Sequence, residues 1–179
     1  MIEFDERGYA SCTIEDIARR AGTSRATFYV HFAGKVELIE GAWDAVRQGL
    51  VMLYRELVRA DVRDRRFIES WLDRTFVFYE KNRLRLLAIH EAISLEGELA
   101  EVYYERTDEL SDFIVPLLRE RSALTEQEAR CQAALLTIQH ERFCFLWILR
   151  GLPFDREVVI PTMGRQWFEQ LGTAGAGEH

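Results

Sequence analysis

Apolar side chains recur at steps of three and four residues through most of this chain, which is the spacing of an amphipathic α-helix. The longest example covers residues 35–60, where Ile39, Trp43, Val46 and Leu50 lie on one predicted stripe. No segment shows a sustained alternation of apolar and polar residues, the pattern that predicts a β-strand. The sequence therefore predicts an all-α fold.

Capping residues divide the chain into separate helices. Thr13 with Asp16, and Thr125 with Glu128, have the spacing of a capping box, which satisfies free N–H groups in a first turn. Ser24 is a further N-cap candidate. The predicted helices cover a stub that ends at residue 8, then residues 14–21, 25–32, 35–60, 65–82, 84–95, 98–121 with a kink at Pro116, 126–150 and 161–171, followed by a frayed tail.

Acidic side chains are distributed unevenly along the chain. The formal net charge is −7, yet no Asp or Glu lies between Ile17 and Val36. The basic residues in that stretch are Arg19, Arg20, Arg25 and Lys35. A local basic face on an acidic protein is compatible with binding to nucleic acid.

The sequence shows no sign of a membrane or secreted protein. No apolar run approaches the roughly 20 residues that span a bilayer, and the first residues are acidic where a signal peptide is basic. The cysteines, Cys12, Cys131 and Cys144, are far apart, which argues against a disulfide framework or a structural zinc site. These features predict a cytoplasmic protein with no membrane partner.

The two short helices over residues 14–21 and 25–32 have the form of a helix-turn-helix. Gly22 lies in the turn between them, and Ala18 and Ala21 are small enough to let the helices approach closely. The second helix of such a pair enters the major groove of DNA. A helical hairpin without DNA binding is the alternative, and spacing alone leaves both open.

A run of residues at fixed spacing resembles the N-terminal signature of the tetracycline-repressor (TetR) family. The matching positions are Phe4, Gly8-Tyr9, Thr13-Ile14, Ile17-Ala18, Ala21-Gly22-Thr23-Ser24-Arg25, Phe28-Tyr29-Val30-His31-Phe32, Lys35 and Leu38. The resemblance covers residues 4–47 and implies a helix-turn-helix domain over residues 1–47, packed on a helical ligand-binding and dimerisation domain over residues 48–179. It implies a regulator, by default a repressor, that binds a near-palindromic operator on double-stranded DNA as a homodimer and is released by a small-molecule effector.

The resemblance also indicates a departure from the family. Family members carry a full first helix before the position of Phe4, whereas this sequence begins at Met1, so we expect a truncated first helix. The alternative function is therefore a helical small-molecule-binding module whose DNA binding is impaired or lost.

The candidate DNA-binding residues come from both lines of reasoning. Thr13 begins the first short helix, where its hydroxyl and free N–H groups can meet a phosphate. Ser24, Arg25 and Thr27 begin the recognition helix, and the guanidinium fork of Arg25 matches guanine. The resemblance adds Tyr29, His31 and Lys35 as phosphate contacts, with core packing against Phe28 and Phe32 as the alternative for Tyr29.

The C-terminal part of the chain suggests a ligand pocket and a dimer interface. The candidate ligand contacts are Trp71, Phe78, His90, Tyr103 and Trp147, with ordinary core packing as the default for each. The helix over residues 126–150 is apolar on most sides and must be covered on most sides. Pairing it with residues 161–171, including Trp167, and their symmetry mates predicts a four-helix dimer interface.

Catalytic motifs fail at their defining positions. His90-Glu91 and His140-Glu141 begin like the zinc motif H-E-x-x-H, but Ser94 and Cys144 occupy its last position. There is no P-loop, no G-x-G-x-x-G and no G-x-S-x-G. We therefore expect a protein that is not an enzyme and that uses no cofactor or metal.

Overall fold

The computed structural model describes residues 8–121 and 123–172, and these ranges contain helices and turns but no strand. The helices are α1 (Ile14–Arg20), α2 (Arg25–His31), α3 (Lys35–Arg59), α4 (Arg65–Lys81), α5 (Arg83–Leu95), α6 (Gly97–Asp112), α7 (Val115–Arg121), α8 (Glu126–Cys144), a π-helical turn (Phe145–Leu149) and α9 (Arg156–Leu171). The all-α prediction is confirmed. The predicted stub before residue 8 and the tail beyond residue 172 lie outside the described residues.

The helix predicted over residues 98–121 is two helices, because it is broken before Pro116. Proline has no N–H to donate to the carbonyl of Asp112, and its ring would clash with that carbonyl in a continuous helix. The chain therefore turns at Ile114, whose N–H donates to Ser111 O at 2.8 Å. Pro116 then lies in the first turn of α7, where a missing N–H costs nothing.

The last helix begins at Arg156 rather than at the predicted Pro161, so that Pro161 lies inside it. Contacts of the Arg156 side chain anchor the early start. Its Nε donates to Asp73 Oδ1 and a terminal nitrogen donates to Glu80 Oε1, both at 2.7 Å. These ion pairs fix the first turn of α9, and the proline removes a single backbone hydrogen bond from the helix that follows.

The described residues form two compact units. The first contains the residues up to Gln48 together with Lys81–Glu105, and the second contains Gly49–Glu80 and the residues from Arg106 onward. Helix α3 contributes residues to both units. This division differs from the predicted one in that Lys81–Glu105 belongs with the N-terminal residues.

An aromatic cluster forms the core of the second unit. The Trp71 ring centroid lies 5.0 Å from that of Trp167 and 5.3 Å from that of Tyr54. Within the cluster, His140 Nε2 lies 3.0 Å from Thr75 Oγ1, and burial lowers the pKa of His140 to about 4. Trp167, predicted at a dimer interface, is instead 1% exposed in this core.

Candidate nucleic-acid interface

The sequence fixes both ends of α1 by local hydrogen bonds. Thr13 accepts the N–H of Asp16 at 3.2 Å, and Asp16 accepts the N–H of Thr13 at 3.2 Å, which completes the predicted capping box. At the other end Gly22 has a φ of +67°, and the N–H of Thr23 donates to Ala18 O at 2.9 Å. This is a Schellman turn, which requires a left-handed residue where the glycine stands. The chain therefore leaves α1 in a defined direction.

Helix α2 follows the predicted N-cap, Ser24, and buries one apolar side chain, Phe28. The hydroxyl of Ser24 accepts the N–H of Thr27 at 3.1 Å. Phe28 is 4% exposed, and its ring lies 5.5 Å from that of Phe32. Of the two small residues predicted at the helix crossing, Ala18 is 2% exposed and therefore buried, whereas Ala21 is exposed.

The rest of α2 is exposed. At 3.6 residues per turn, Ala26 and Val30 lie roughly opposite Phe28 and form the centre of the exposed face. Val30 is 78% exposed, which is unusual for an apolar side chain, and Tyr29 is 45% exposed. Arg25, Thr27 and His31 are also exposed and flank the centre. A seven-residue helix that buries one side chain and offers the others to solvent is suited to enter a groove.

Arg25 is held by two neighbours. Its guanidinium forms an ion pair with Glu15 on α1, and it lies 5.6 Å from the ring centroid of Tyr29. The Tyr29 hydroxyl and the Glu15 carboxylate raise the pKa of Arg25. The side chain is therefore a permanent cation on the edge of the exposed face of α2.

Two other predicted phosphate contacts are engaged within the chain. The hydroxyl of Thr13 donates to Asp16 Oδ2 at 2.6 Å. The ammonium of Lys35 donates to Tyr9 O at 2.9 Å and to Cys12 O at 3.0 Å. The Thr13 hydroxyl would need a change of partner to contact DNA, whereas the Lys35 ammonium has a third N–H beyond the two that it donates. Both phosphate contacts stay predictions. Through these two hydrogen bonds Lys35 attaches the chain before α1 to the start of α3.

The predicted ligand contacts are divided between the two units. Trp71 and Trp147 belong to the second, where their indole N–H groups donate to Leu53 O at 2.8 Å and to Phe154 O at 2.7 Å. Phe78 also belongs there, with its ring 6.4 Å from that of Tyr79. His90 and Tyr103 belong to the first unit, with ring centroids 5.7 Å apart.

Comparisons with known proteins agree with this arrangement. Residues 1–42 match the family described as bacterial regulatory proteins, tetR family. The HTH-type transcriptional activator FasR of Mycolicibacterium smegmatis is 25% identical over 159 residues, which cover 88% of this chain and 72% of FasR. The N-terminal residues of this chain are thus similar to those of tetR-family transcriptional regulators. A crystal structure of a transcriptional regulator (TerR/AcrR family) from Aquifex aeolicus VF5 shares the fold, with a TM-score of 0.67, 15% identity, and coverage of 92% of this chain and 90% of that one.

The protein has exposed apolar side chains on α8, on α9 and in the turn that precedes α9. Leu135 is 65% exposed, Ile138 54%, Phe154 51% and Val158 56%. Beside them runs a groove of about 220 Å³. Reciprocal hydrogen bonds between Gln139 and Gln166 cross from α8 to α9. Large apolar patches rimmed by polar groups mark interaction surfaces.

The regulator also has a narrow cavity within its first unit. It has a volume of about 10 Å³ and is lined by Ile39, Trp43, Ile89, Tyr103 and neighbouring side chains. Trp43 is 6% exposed, and in the described part of the chain no acceptor lies within reach of its indole N–H. The cavity therefore lies among mostly apolar side chains, and one of these, Trp43, has an indole N–H without a partner among the described residues. Among the described helices, none is both long and apolar enough to cross a membrane.

Proposed function

We propose that this regulator binds operator DNA as a homodimer by placing α2 in the major groove, and that a small molecule releases it. The observation that carries the proposal is the face of α2 opposite Phe28, which is exposed and carries both polar and methyl groups. Arg25 matches the O6 and N7 acceptors of guanine. Ala26 and Val30 match the methyl group of thymine. Ser24, Thr27, Tyr29 and His31 surround them as further base or phosphate contacts.

Selection of duplexes from a randomised library tests the DNA-binding part. We expect the wild type to enrich a near-palindrome, because two copies present two recognition helices. Arg25→Ala should lose preference at one position in each half-site, at about 1–3 kcal/mol. Arg63→Ala removes an exposed arginine outside the helix-turn-helix and serves as the control. A wild type that enriches no duplex would instead favour a small-molecule-binding module without DNA binding.

The exposed apolar face of α8 and α9 supports the homodimer. We propose that a second copy of this chain covers the face, because a near-palindromic operator needs two recognition helices related by a two-fold axis. The face also has four large apolar side chains exposed to solvent. Ile138→Glu should convert the dimer to a monomer in sedimentation at tens of micromolar, since it places a charge in the interface. Met52→Glu is the control, because Met52 is 64% exposed and lies on α3, a different helix. A monomeric wild type, or equal dissociation of both variants, would contradict the interface.

The cavity beside Trp43 supports a small-molecule effector. Its lining favours an apolar molecule with one hydrogen-bond acceptor for the indole N–H. At about 10 Å³ the cavity holds no more than one water, so an effector must separate the helices that line it. Binding of the effector would therefore be coupled to a movement of these helices. Trp43→Phe, which removes the donor and keeps an aromatic ring, should lower effector affinity more than Trp147→Phe.

The sign of regulation is a separate question. Repression is the predicted sign, while the relative FasR is named an activator. A reporter gene placed behind the selected operator decides between them. Expression that falls when the regulator is supplied supports repression, and expression that rises supports activation.

A further inference from the structure

The chain that leads into α1 is attached to α5 by an unusual pair of hydrogen bonds. The N–H groups of Tyr9 and Ala10 donate to the two oxygens of the Glu91 carboxylate, at 2.8 Å and 3.2 Å. Gly8 has a φ of +77°, and a Cβ atom there would lie 2.6 Å from Glu91 Oε2. A left-handed glycine thus allows the backbone to come close to the carboxylate. The contact joins residues 82 positions apart in the sequence.

Two further attachments hold the same segment, residues 8–13. The Tyr9 hydroxyl donates to Glu96 Oε1 at 3.0 Å, and Tyr9 is 2% exposed. The ammonium of Lys35 on α3 donates to the carbonyl oxygens of Tyr9 and Cys12. The segment therefore has two of its N–H groups bound to α5 and two of its carbonyl groups bound to α3. Because the segment ends at the cap of α1, these bonds also set where α1 begins.

We propose that Glu91 is a positioning residue for DNA binding: its carboxylate fixes residues 8–13 on α5 and thereby orients α1 and, through the Schellman turn, α2. Two adjacent N–H donors require two acceptor atoms at one place, which a carboxylate supplies. An amide supplies one oxygen and turns its NH₂ toward the other donor. Aspartate keeps the charge but is one methylene shorter. Neither replacement reproduces the contact.

Because Glu91 is negatively charged, an effect of its charge and an effect of its position predict opposite changes in DNA affinity. If Glu91 acted on DNA only by its charge, Glu91→Gln would tighten binding, because a negative group is removed from a protein that binds a polyanion. If it positions the helices, Glu91→Gln and Glu91→Asp should both weaken binding to the duplex that the wild type selects. We expect a loss of about tenfold, the effect of losing one hydrogen bond to a charged group. Glu98→Gln, an exposed carboxylate in the first turn of α6, is the charge-matched control.

Hydrogen exchange without DNA measures the positioning directly. The Tyr9 and Ala10 amides should exchange at least about tenfold faster in both Glu91 variants, while amides in the middle of α5 keep their rates. Unchanged exchange, or faster exchange with unchanged DNA affinity, overturns the proposal. The inference rests on the proposed DNA binding, and the two can fail separately. Should the wild type bind no duplex, the proposed function fails, and the exchange rates alone decide whether Glu91 holds the segment.

A glycine substitution covers the case in which the Glu91 variants fold poorly. Gly8→Ala places a methyl group against the carboxylate at a strained backbone position. Gly151→Ala carries the same backbone strain, at a φ of +80°, with no atom within 4 Å of the added group. We expect both variants to lower the melting temperature, because both strain the backbone, and Gly8→Ala alone to weaken DNA binding. Equal DNA affinity in both would overturn the proposal.

Discussion

Replacing Glu15 by glutamine should strengthen DNA binding. Glu15 is 52% exposed and Arg25 is 60% exposed, and the two form an ion pair across the helix-turn-helix. To read guanine, Arg25 must offer two N–H groups to O6 and N7, so it has to give up at least part of this pair. An exposed pair of this kind is weak, so the cost of separating it is small. Glu15 also brings a negative charge into the domain that meets the phosphates.

The expected gain is correspondingly small but measurable. Release of the ion pair gives an affinity about 2–5 times higher at low salt. Salt screens exposed charges, so the gain should shrink as ionic strength rises and the Debye length falls from about 30 Å at 0.01 M to about 8 Å at 0.15 M. Fluorescence anisotropy of the selected duplex at several salt concentrations measures both quantities. Melting temperature should change little, although Glu15 lies in the first turn of α1, where an acidic side chain is mildly stabilising.

Two controls separate the ion pair from net charge. Glu120→Gln makes the same charge change at an exposed site in α7 and should leave the affinity nearly unaltered. In an Arg25→Ala background, Glu15→Gln should gain less, because the partner it releases is missing. Weaker binding by Glu15→Gln would refute the reasoning and would mean that Glu15 holds Arg25 in the orientation that reads the base. An equal gain from Glu120→Gln would reduce the effect to net charge.

Three further variants have expected outcomes. Lys35→Ala should weaken binding to all duplexes alike and reduce the salt slope by about one per subunit; an unchanged slope would mean that Lys35 only holds backbone carbonyls. The contribution of His140 to stability should fall by roughly 3 kcal/mol from pH 7 to pH 4, because burial lowers its pKa to about 4 while the unfolded chain takes up a proton below about 6.5. His140→Gln should remove this part of the pH dependence in urea unfolding. Gly49→Ala should lower the melting temperature, since the added methyl meets the Phe78 ring; an unchanged value would show that Phe78 moves freely.

The sequence predicts best where structure is determined locally. The starts of α1, α2 and α8 follow from Thr13, Ser24 and Thr125, because a cap acts within three residues of itself. The start of α9 does not follow, because Pro161 is a favourable first residue and the ion pairs that extend the helix come from α4, far away in the sequence. Local rules could not weigh a proline against a tertiary contact.

The candidate site shows the same limit. Periodicity together with the resemblance led to Arg25 and its neighbours, but it passed over Val30, which looks like an ordinary core residue until Phe28 is known to be the side chain that α2 buries. Glu15 and Glu91 were also missed, because their partners are 10 and 82 positions away. A helical wheel centred on Phe28 would have found Val30. No pattern in a single sequence would have found Glu91.

Helix α5 is where an effector could act on DNA binding. It supplies Ile89 to the cavity beside Trp43 and Glu91 to the segment that precedes α1. One helix therefore contacts both the proposed effector cavity and the segment that leads into the DNA-binding helices. An effector shifts this arrangement only if it binds the DNA-incompetent state more tightly than the competent one. A coupling of about 1–3 kcal/mol would change operator affinity by roughly 5–150-fold, and the operator must change effector affinity by the same factor. Titration of the effector with and without operator measures that factor, and Glu91→Gln should reduce it. Equal effector affinities in the two titrations with the wild type would exclude the cavity as the sensor.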